Sequence, residues 1–173
     1  MPTWSEIKIG ETLQFSTTGH DNPIISNVGS FLANLPEILG ALSTARTHYV
    51  IVAEFMDVRY CQFWMDDAGA VMGEVISNLN IGDLVALTAD EERELLALGF
   101  SPPEEFLNPN FTFEADSPSR MIQLVQMISN AVLKVLKESP SNPVEIRTWE
   151  MEVPKELDRD LVRSFARNYL GSD

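Results

Sequence analysis

Residues 49–77 constrain the fold more than any other stretch, and they read YVIVAEFMDVRYCQFWMDDAGAVMGEVIS. Three runs rich in β-branched and aromatic residues are separated by two short polar segments. This pattern is typical of three consecutive antiparallel strands. We expect strands over residues 48–55, 58–65 and 70–77. The chain is therefore predicted to fold around a β-meander.

The two polar segments predict the turns of the meander. Met56-Asp57 fits a two-residue hairpin loop, or one that is a residue longer because neither residue favours positive φ. A turn at these two residues places Cys61 opposite Val52. Asp67-Ala68-Gly69 fits a three-residue loop with the glycine in the left-handed conformation.

Alternation in the second strand separates two faces, because successive side chains of a strand point to opposite sides. One face is predicted to carry Arg59, Cys61, Phe63 and Met65, and the other Tyr60, Gln62 and Trp64. We expect helices to cover one face of the sheet. Aromatic side chains with polar tips are common at interfaces. Tyr60, Gln62 and Trp64 are therefore candidate partner-binding residues.

The charge balance excludes some classes of partner. The 173-residue chain carries 26 acidic and 12 basic residues, a formal net charge of −14. Such a charge repels phosphate backbones and anionic lipid, so we expect neither nucleic acid nor membrane as a partner. Hydrophobic residues make up 45% of the chain, which is enough for a folded core. Acidity is also compatible with a role in solubility alone.

Compartment signals favour the cytoplasm. No apolar run approaches the ~20 residues that span a bilayer. The first residues, MPTWSEIKIG, lack the basic and apolar regions of a signal peptide. Cys61 is the only cysteine, so no internal disulfide can form, which suits a reducing compartment.

Helices are predicted on both sides of the meander. Asp21-Asn22-Pro23 fits a helix start, and an apolar stripe continues to Leu42 with a kink or restart near Asn34, ahead of Pro36. Thr88 and Glu91 form a capping box for a short acidic helix that ends at Gly99.

A third helix is predicted over residues 117–138, with Asp116 or Ser117 as its cap and Pro118 in its first turn. Ile122 and Leu133 widen its apolar stripe, so this helix is either deeply buried or used in association. A further strand near residues 144–151 and a last helix from Pro154 follow. We divide the chain into an N-terminal arm (1–20), a domain (21–138) and a strand-helix extension of the same domain (139–173).

Catalytic and metal motifs of high specificity are missing from the sequence. Cys61 lies far from His48 along the predicted strand, and a cysteine in mid-strand is usually a small buried hydrophobe. His20-Asp21 lacks the further histidines of a metal site. Asp66-Asp67 is a candidate acid pair, but aspartates are common turn residues. We expect no cofactor and no enzymatic activity.

Five segments follow one another in a recognisable order, namely YCQF (60–63), GEVISN (73–78), LLALGFSPP (95–103), Asn110-Phe111 and a proline-started helix. In this order and spacing they resemble the actinobacterial TY-Chap family of the YbjN-like and type III secretion chaperone-like group. The resemblance covers residues 30–138. It implies an α+β fold with the layout α-β-β-β-α-β-α, in which helices pack against an antiparallel sheet. It also implies a small, non-enzymatic, often dimeric protein that holds segments of client proteins.

Sequence and resemblance together predict a chaperone-like protein that binds a client or partner polypeptide as a homodimer. Its candidate binding residues are Tyr60, Gln62, Trp64, Ile122 and Leu133. Two alternatives stay open. One is an adaptor or regulatory protein without chaperone activity, and the other is a metal-dependent hydrolase that uses acidic residues such as Asp66 and Asp67.

Overall fold

The structure is a computed structural model, and it describes residues 24–44, 49–56, 59–66, 68–78, 86–104 and 109–150. Its elements in chain order are β1 (Ile24–Asn27), α1 (Val28–Thr44), β2 (Tyr49–Phe55), β3 (Tyr60–Met65), β4 (Val71–Val75), α2 (Ala89–Leu98), β5 (Phe111–Ala115), α3 (Pro118–Asn130), a π turn (Ala131–Val135) and β6 (Pro143–Glu150). The predicted arm (1–20) and the predicted helix from Pro154 lie outside these residues. The fold is α+β, as predicted.

Six antiparallel strands form one sheet in the order β1-β6-β2-β3-β4-β5. The meander is confirmed as β2, β3 and β4, each slightly shorter than predicted. The last described strand, β6, does not lie at an edge, because it pairs with β1 on one side and β2 on the other. The first and last described strands are therefore neighbours, with β1 at the edge of the sheet.

The first hairpin has the longer of the two predicted turns. Cys61 lies opposite Ala53, so the two-residue loop, which pairs Cys61 with Val52, is wrong and the loop that is one residue longer is confirmed. The amide of Phe55 donates to the carbonyl oxygen of Arg59 at 2.8 Å, which leaves three residues between them. Two-residue hairpin turns favour residues that adopt positive φ, and Met56-Asp57 supplies none. In the second hairpin Gly69 has φ of 89°, as predicted.

One face of the sheet carries the hydrophobic core. Cys61, Phe63 and Met65 of β3 are buried on this face, which confirms the predicted alternation. Helix α3 approaches β4 so closely that an ideal Cβ on Gly73 would overlap Cδ1 of Leu124 and lie 3.1 Å from its Cδ2. Helices α1 and α3 contribute buried side chains to the same core cluster. We call this side of the sheet the core face.

The start of α1 differs from the prediction. A helix start at residues 21–23 is wrong, because Ile24–Asn27 is a strand that pairs with β6. The helix begins at Val28, and the Asn27 side chain accepts from the amide of Ser30 at 2.8 Å as its cap. Backbone pairing with a strand more than 100 residues away therefore decides this boundary.

Pro36 does not end α1, so of the two predicted alternatives near Asn34, a kink or a restart, the restart is wrong. A proline inside a helix costs about 3 kcal/mol. Leu35, Ile38 and Leu39 around it are fully buried. Burying a leucine or isoleucine side chain stabilises by about 1.5–3 kcal/mol each, so the packing of this stripe offsets the cost.

The caps of α2 and α3 agree with the predictions. The amide of Thr88 donates to Oε2 of Glu91 at 2.8 Å, the amide of Glu91 donates to Oγ1 of Thr88, and Gly99 ends α2 with φ of 110°. Ser117 caps α3, with Pro118 in its first position. The predicted helix over 117–138 corresponds to α3 and the π turn that continues it. In this turn the amide of Leu136 donates to the carbonyl oxygen of Ala131 at 2.8 Å.

Candidate functional site

The side of the sheet opposite the core face carries a mixed aromatic, aliphatic and charged surface, which we call the outer face. By register it includes Ile25 on β1, Val50, Val52 and Glu54 on β2, Tyr60, Gln62 and Trp64 on β3, Met72 and Glu74 on β4, Thr112 and Glu114 on β5, and Glu145 and Arg147 on β6. None of these side chains belongs to the core cluster of the described residues. The outer face is thus a separate surface rather than a second half of the core.

A buried carboxylate organises the centre of the outer face. Glu74 is only 3% exposed. Nε1 of Trp64 donates to its Oε1 at 3.0 Å, while Nε2 of Gln62 and Nδ2 of Asn110 donate to its Oε2, the latter at 3.1 Å. A buried charge is tolerated when hydrogen bonds satisfy it, and bonds to an ionised group are stronger than neutral ones. Glu74 therefore fixes the side chains of Trp64 and Gln62.

Sequence reasoning missed Glu74 and Asn110. Glu74 is the only charged residue in the third run of the meander, AVMGEVIS. A single charge inside an otherwise apolar central strand indicates a buried, hydrogen-bonded group, and that signal was available. Asn110 gave no such signal, because β5 brings it next to Glu74 only through the sheet register.

The five predicted binding residues fall on two surfaces. Tyr60, Gln62 and Trp64 are half-buried on the outer face. Ile122 of α3 and Leu133 of the π turn are 49% and 40% exposed, on the helix layer that packs against the core face. We call Ile122 and Leu133 the α3 patch. The sheet lies between the two surfaces, so the structure does not bring all five residues together.

A polar cluster around Arg59 joins three elements at one end of the core face. Nη2 of Arg59 donates to the carbonyl oxygen of Leu136 at 2.8 Å. Its guanidinium also lies 3.8 Å from Oε1 of Glu91 and 3.9 Å from Oε1 of Glu138. Oε2 of the buried Glu138 accepts from Nδ2 of Asn142 at 3.0 Å. This cluster connects the β2–β3 hairpin to the start of α2 and the end of the π turn.

The sequence candidates for chemistry have other roles where they are described. Cys61 is fully buried in the core, and burial raises the pKa of its thiol, so it stays protonated at neutral pH. Oδ1 of Asp66 accepts from the amides of Ala68 and Ala70 at 2.9 and 2.8 Å, which is a turn function. His20, Asp21, His48 and Asp67 lie outside the described residues.

The described part of the chain holds no group of three or more histidine, cysteine or acidic side chains arranged to bind a metal ion. None of its helices has the length and hydrophobicity needed to cross a membrane.

An antiparallel sheet with helices on its core face defines an α+β protein. The chain belongs to the TY-Chap3 family, described as "T3SS (YopN, CesT) and YbjN peptide-binding chaperone 3", whose family model matches residues 29–160. This match confirms the predicted resemblance and extends past its predicted limit to include β6. Neither the curated proteins nor the solved structures gave a match.

Proposed function

We propose that this protein is a peptide-binding chaperone that holds an extended segment of a client protein on the outer face of its sheet. The family to which it belongs is one of peptide-binding chaperones. The observation that carries the choice of surface is the row of Tyr60, Gln62 and Trp64, with Trp64 and Gln62 hydrogen-bonded to the buried Glu74. On this proposal the protein acts by binding and not by catalysis.

Pre-organisation makes this row suitable for binding. A flexible side chain loses about 0.5–1.5 kcal/mol of conformational freedom when a partner immobilises it. The hydrogen bonds to Glu74 already restrict Trp64 and Gln62 in the free protein. The indole ring of Trp64 presents a large apolar area, and its N–H group already donates to Glu74. A client segment therefore gains contact area without ordering these two groups.

We propose that two copies associate through the α3 patch. Ile122 and Leu133 are separated by eleven positions, or about 16 Å along the helix axis. They are two of the five large hydrophobic side chains exposed in the described residues. In a two-fold dimer the same patch of each copy contacts the other. This arrangement leaves the outer face of each copy accessible to a client.

A cytoplasmic location completes the proposal. The only cysteine of the chain is a free thiol buried in the core, and it has no second cysteine with which to form a disulfide. Such cysteine usage fits a reducing compartment. The client is accordingly proposed to be a protein met in the cytoplasm.

An array of overlapping peptides from the products of the neighbouring genes tests client binding. We expect the full chain to bind a subset of extended, apolar-rich peptides. We expect Trp64→Ala to weaken that binding at least about tenfold, since buried aromatic anchors dominate such interfaces. Leu96→Ala is the matched control, because Leu96 is 44% exposed on α2 and lies on neither surface. If Trp64→Ala and the unmodified chain bind the peptides equally well, the outer face is ruled out as the client-binding surface.

Light scattering coupled to size exclusion tests the dimer separately. We expect twice the 19.4 kDa chain mass for the unmodified protein. Ile122→Glu combined with Leu133→Glu is expected to give the monomer, because two charges on each patch would face each other. Leu96→Glu adds an acidic side chain elsewhere and leaves the dimer intact. If the unmodified chain is a monomer, the proposed dimer is contradicted, whereas client binding is still decided by the peptide array.

A further inference from the structure

We propose that the outer face selects extended segments in which a lysine or arginine is followed, at alternate positions, by apolar side chains. In this assignment Glu54 contacts the basic side chain. The inference rests on the proposed function, since it specifies the client that the outer face would hold. It follows from the positions of charge and apolar groups on three neighbouring strands.

Charge on the outer face is strongly unbalanced. The described outer-face positions include four carboxylates and one guanidinium, namely Glu54, Glu74, Glu114 and Glu145 against Arg147. The guanidinium of Arg147 pairs with Glu145 on its own strand. Glu74 is engaged by its hydrogen-bond donors. A basic segment is complementary to this face, and the net charge of −14 attracts it from a distance.

Glu54 is the carboxylate in the best position for a basic side chain of the client. It is half-buried, and it lies directly opposite Glu145 across β2 and β6. Like charges at opposed positions destabilise a sheet, because their Cβ atoms are only about 5 Å apart. Among the described residues Glu54 has neither a hydrogen bond nor an ion pair of its side chain. Because Arg147 already pairs with Glu145, a client cation would pair with Glu54, the member of the two that has no cation among the described residues.

Two valines follow Glu54 on β2 at the spacing of an extended peptide. Val52 is only 9% exposed and lies between Gln62 of β3 and Arg147 of β6, whereas Val50 lies beside Trp64. Alternate residues of a strand are about 6.8 Å apart, and an extended client segment has the same repeat. A segment that runs along β2 therefore places a basic group over Glu54 and its main apolar contact two repeats away, over Val50 and Trp64.

Three labelled peptides of equal length and apolar content distinguish this inference from general peptide binding. One position carries lysine, glutamine or glutamate, and the second and fourth positions after it carry apolar residues, so that all three side chains point to the same side of the extended peptide. Fluorescence anisotropy with the full chain gives the affinities at low and at physiological salt. We expect the lysine peptide to bind about five- to tenfold more tightly than the glutamine peptide, and the glutamate peptide to bind weakest. Salt is expected to reduce the difference.

Glu54→Gln locates the effect on the outer face. This substitution is expected to weaken the affinity for the lysine peptide about two- to fivefold and to leave the affinity for the glutamine peptide unchanged. Glu94→Gln removes the same charge from an exposed position on α2, so it reports the effect of net charge alone. Circular dichroism verifies that both variants are folded.

Each outcome decides a different claim. The inference is supported if the unmodified chain prefers the lysine peptide, if Glu54→Gln reduces this preference and if Glu94→Gln retains it. Equal affinity for the three peptides overturns the inference and leaves the proposed function intact. An equal loss in both variants also overturns it, because net charge alone would then explain the preference. If no peptide binds, the proposed function falls as well.

Discussion

Nη2 of Arg59 donates a 2.8 Å hydrogen bond to the carbonyl oxygen of Leu136, across 77 positions of the chain. This carbonyl follows the π turn, where the backbone oxygens of a helix end carry partial negative charge. A guanidinium at that point satisfies an acceptor and favours the helix dipole. The contact therefore holds the end of the helix layer against the first hairpin of the sheet.

Replacing Arg59 is expected to destabilise the fold strongly. Arg59→Met removes the bond to Leu136 and the charge beside the buried Glu138. We expect the free energy of unfolding in urea to fall by about 2–4 kcal/mol, because a buried acid then loses its cation. Arg93→Met is the matched control, since Arg93 is exposed and pairs only with the nearby Asp90. A loss below about 0.5 kcal/mol for Arg59→Met contradicts this role.

Gly73 is expected to accept no side chain while Leu124 is present. A Cβ at residue 73 overlaps the Leu124 side chain, and overpacking of this kind costs about 1–3 kcal/mol. Leu124→Ala alone is expected to cost about 2–5 kcal/mol through the cavity that it leaves.

The double variant separates this contact from a general effect on the strand. Gly73→Ala with Leu124→Ala is expected to lose less stability than the sum of the two single changes, because the added methyl group occupies part of the cavity. Simple additivity in chemical denaturation is the result that would contradict direct contact.

Glu74 is expected to couple stability to client binding. Glu74→Gln keeps the shape of the side chain but places an amide where the carboxylate accepts from Gln62, Trp64 and Asn110. We expect a loss of about 1–3 kcal/mol in the free energy of unfolding, because at least one buried donor loses its acceptor. Peptide affinity is expected to fall with it. Glu114→Gln, at an exposed outer-face position, serves as control and is expected to change stability by less than about 0.5 kcal/mol.

Cys61 is expected to make stability depend on pH in the alkaline range. Burial raises the pKa of its thiol in the folded state, whereas an unfolded cysteine has a pKa near about 8.5. Below that pH the thiol is protonated in both the folded and the unfolded state, and its contribution to the free energy of unfolding is fully present. As the pH rises above it, only the unfolded state releases the proton, so the free energy of unfolding falls by up to about 1.4 kcal/mol per pH unit.

Comparison with Cys61→Ala isolates this effect from other groups that titrate at high pH. The variant is less stable near neutral pH, since Cys61 is part of the core cluster. Its stability is expected to decline less steeply between about pH 8.5 and pH 10. Parallel curves for the two proteins would show that the thiol is accessible to ionisation in the folded state.

Local sequence signals predicted most of the elements and the two faces of β3. The Thr88–Glu91 capping box, the left-handed Gly99 and the cap at Ser117 depend on neighbouring residues alone, and each was found as predicted. The start of α1 was wrong because residues 24–27 pair with β6, a partner that no local pattern specifies. The register of Cys61 was left open between two loop lengths, and the structure has the longer one.

In the candidate site, too, local sequence patterns identified some features and only the fold decided others. Tyr60, Gln62 and Trp64 were identified from alternation within one strand, which is a property of the sequence. Their separation from Ile122 and Leu133 depends on which face of the sheet α3 covers, and the contact of Leu124 with Gly73 fixes that. Glu74 and Asn110 meet only when β3, β4 and β5 are in register.

By itself, then, the sequence determined the family, the meander, the caps of α2 and α3 and the acidic charge, because each of these is set by residue type and short spacing. The tertiary structure alone decided that β6 lies between β1 and β2, that Glu74 holds Trp64 and Gln62, and that Glu54 faces Glu145. These relationships join residues distant along the chain. Their geometry is fixed by strand order and register, which short-range patterns do not encode.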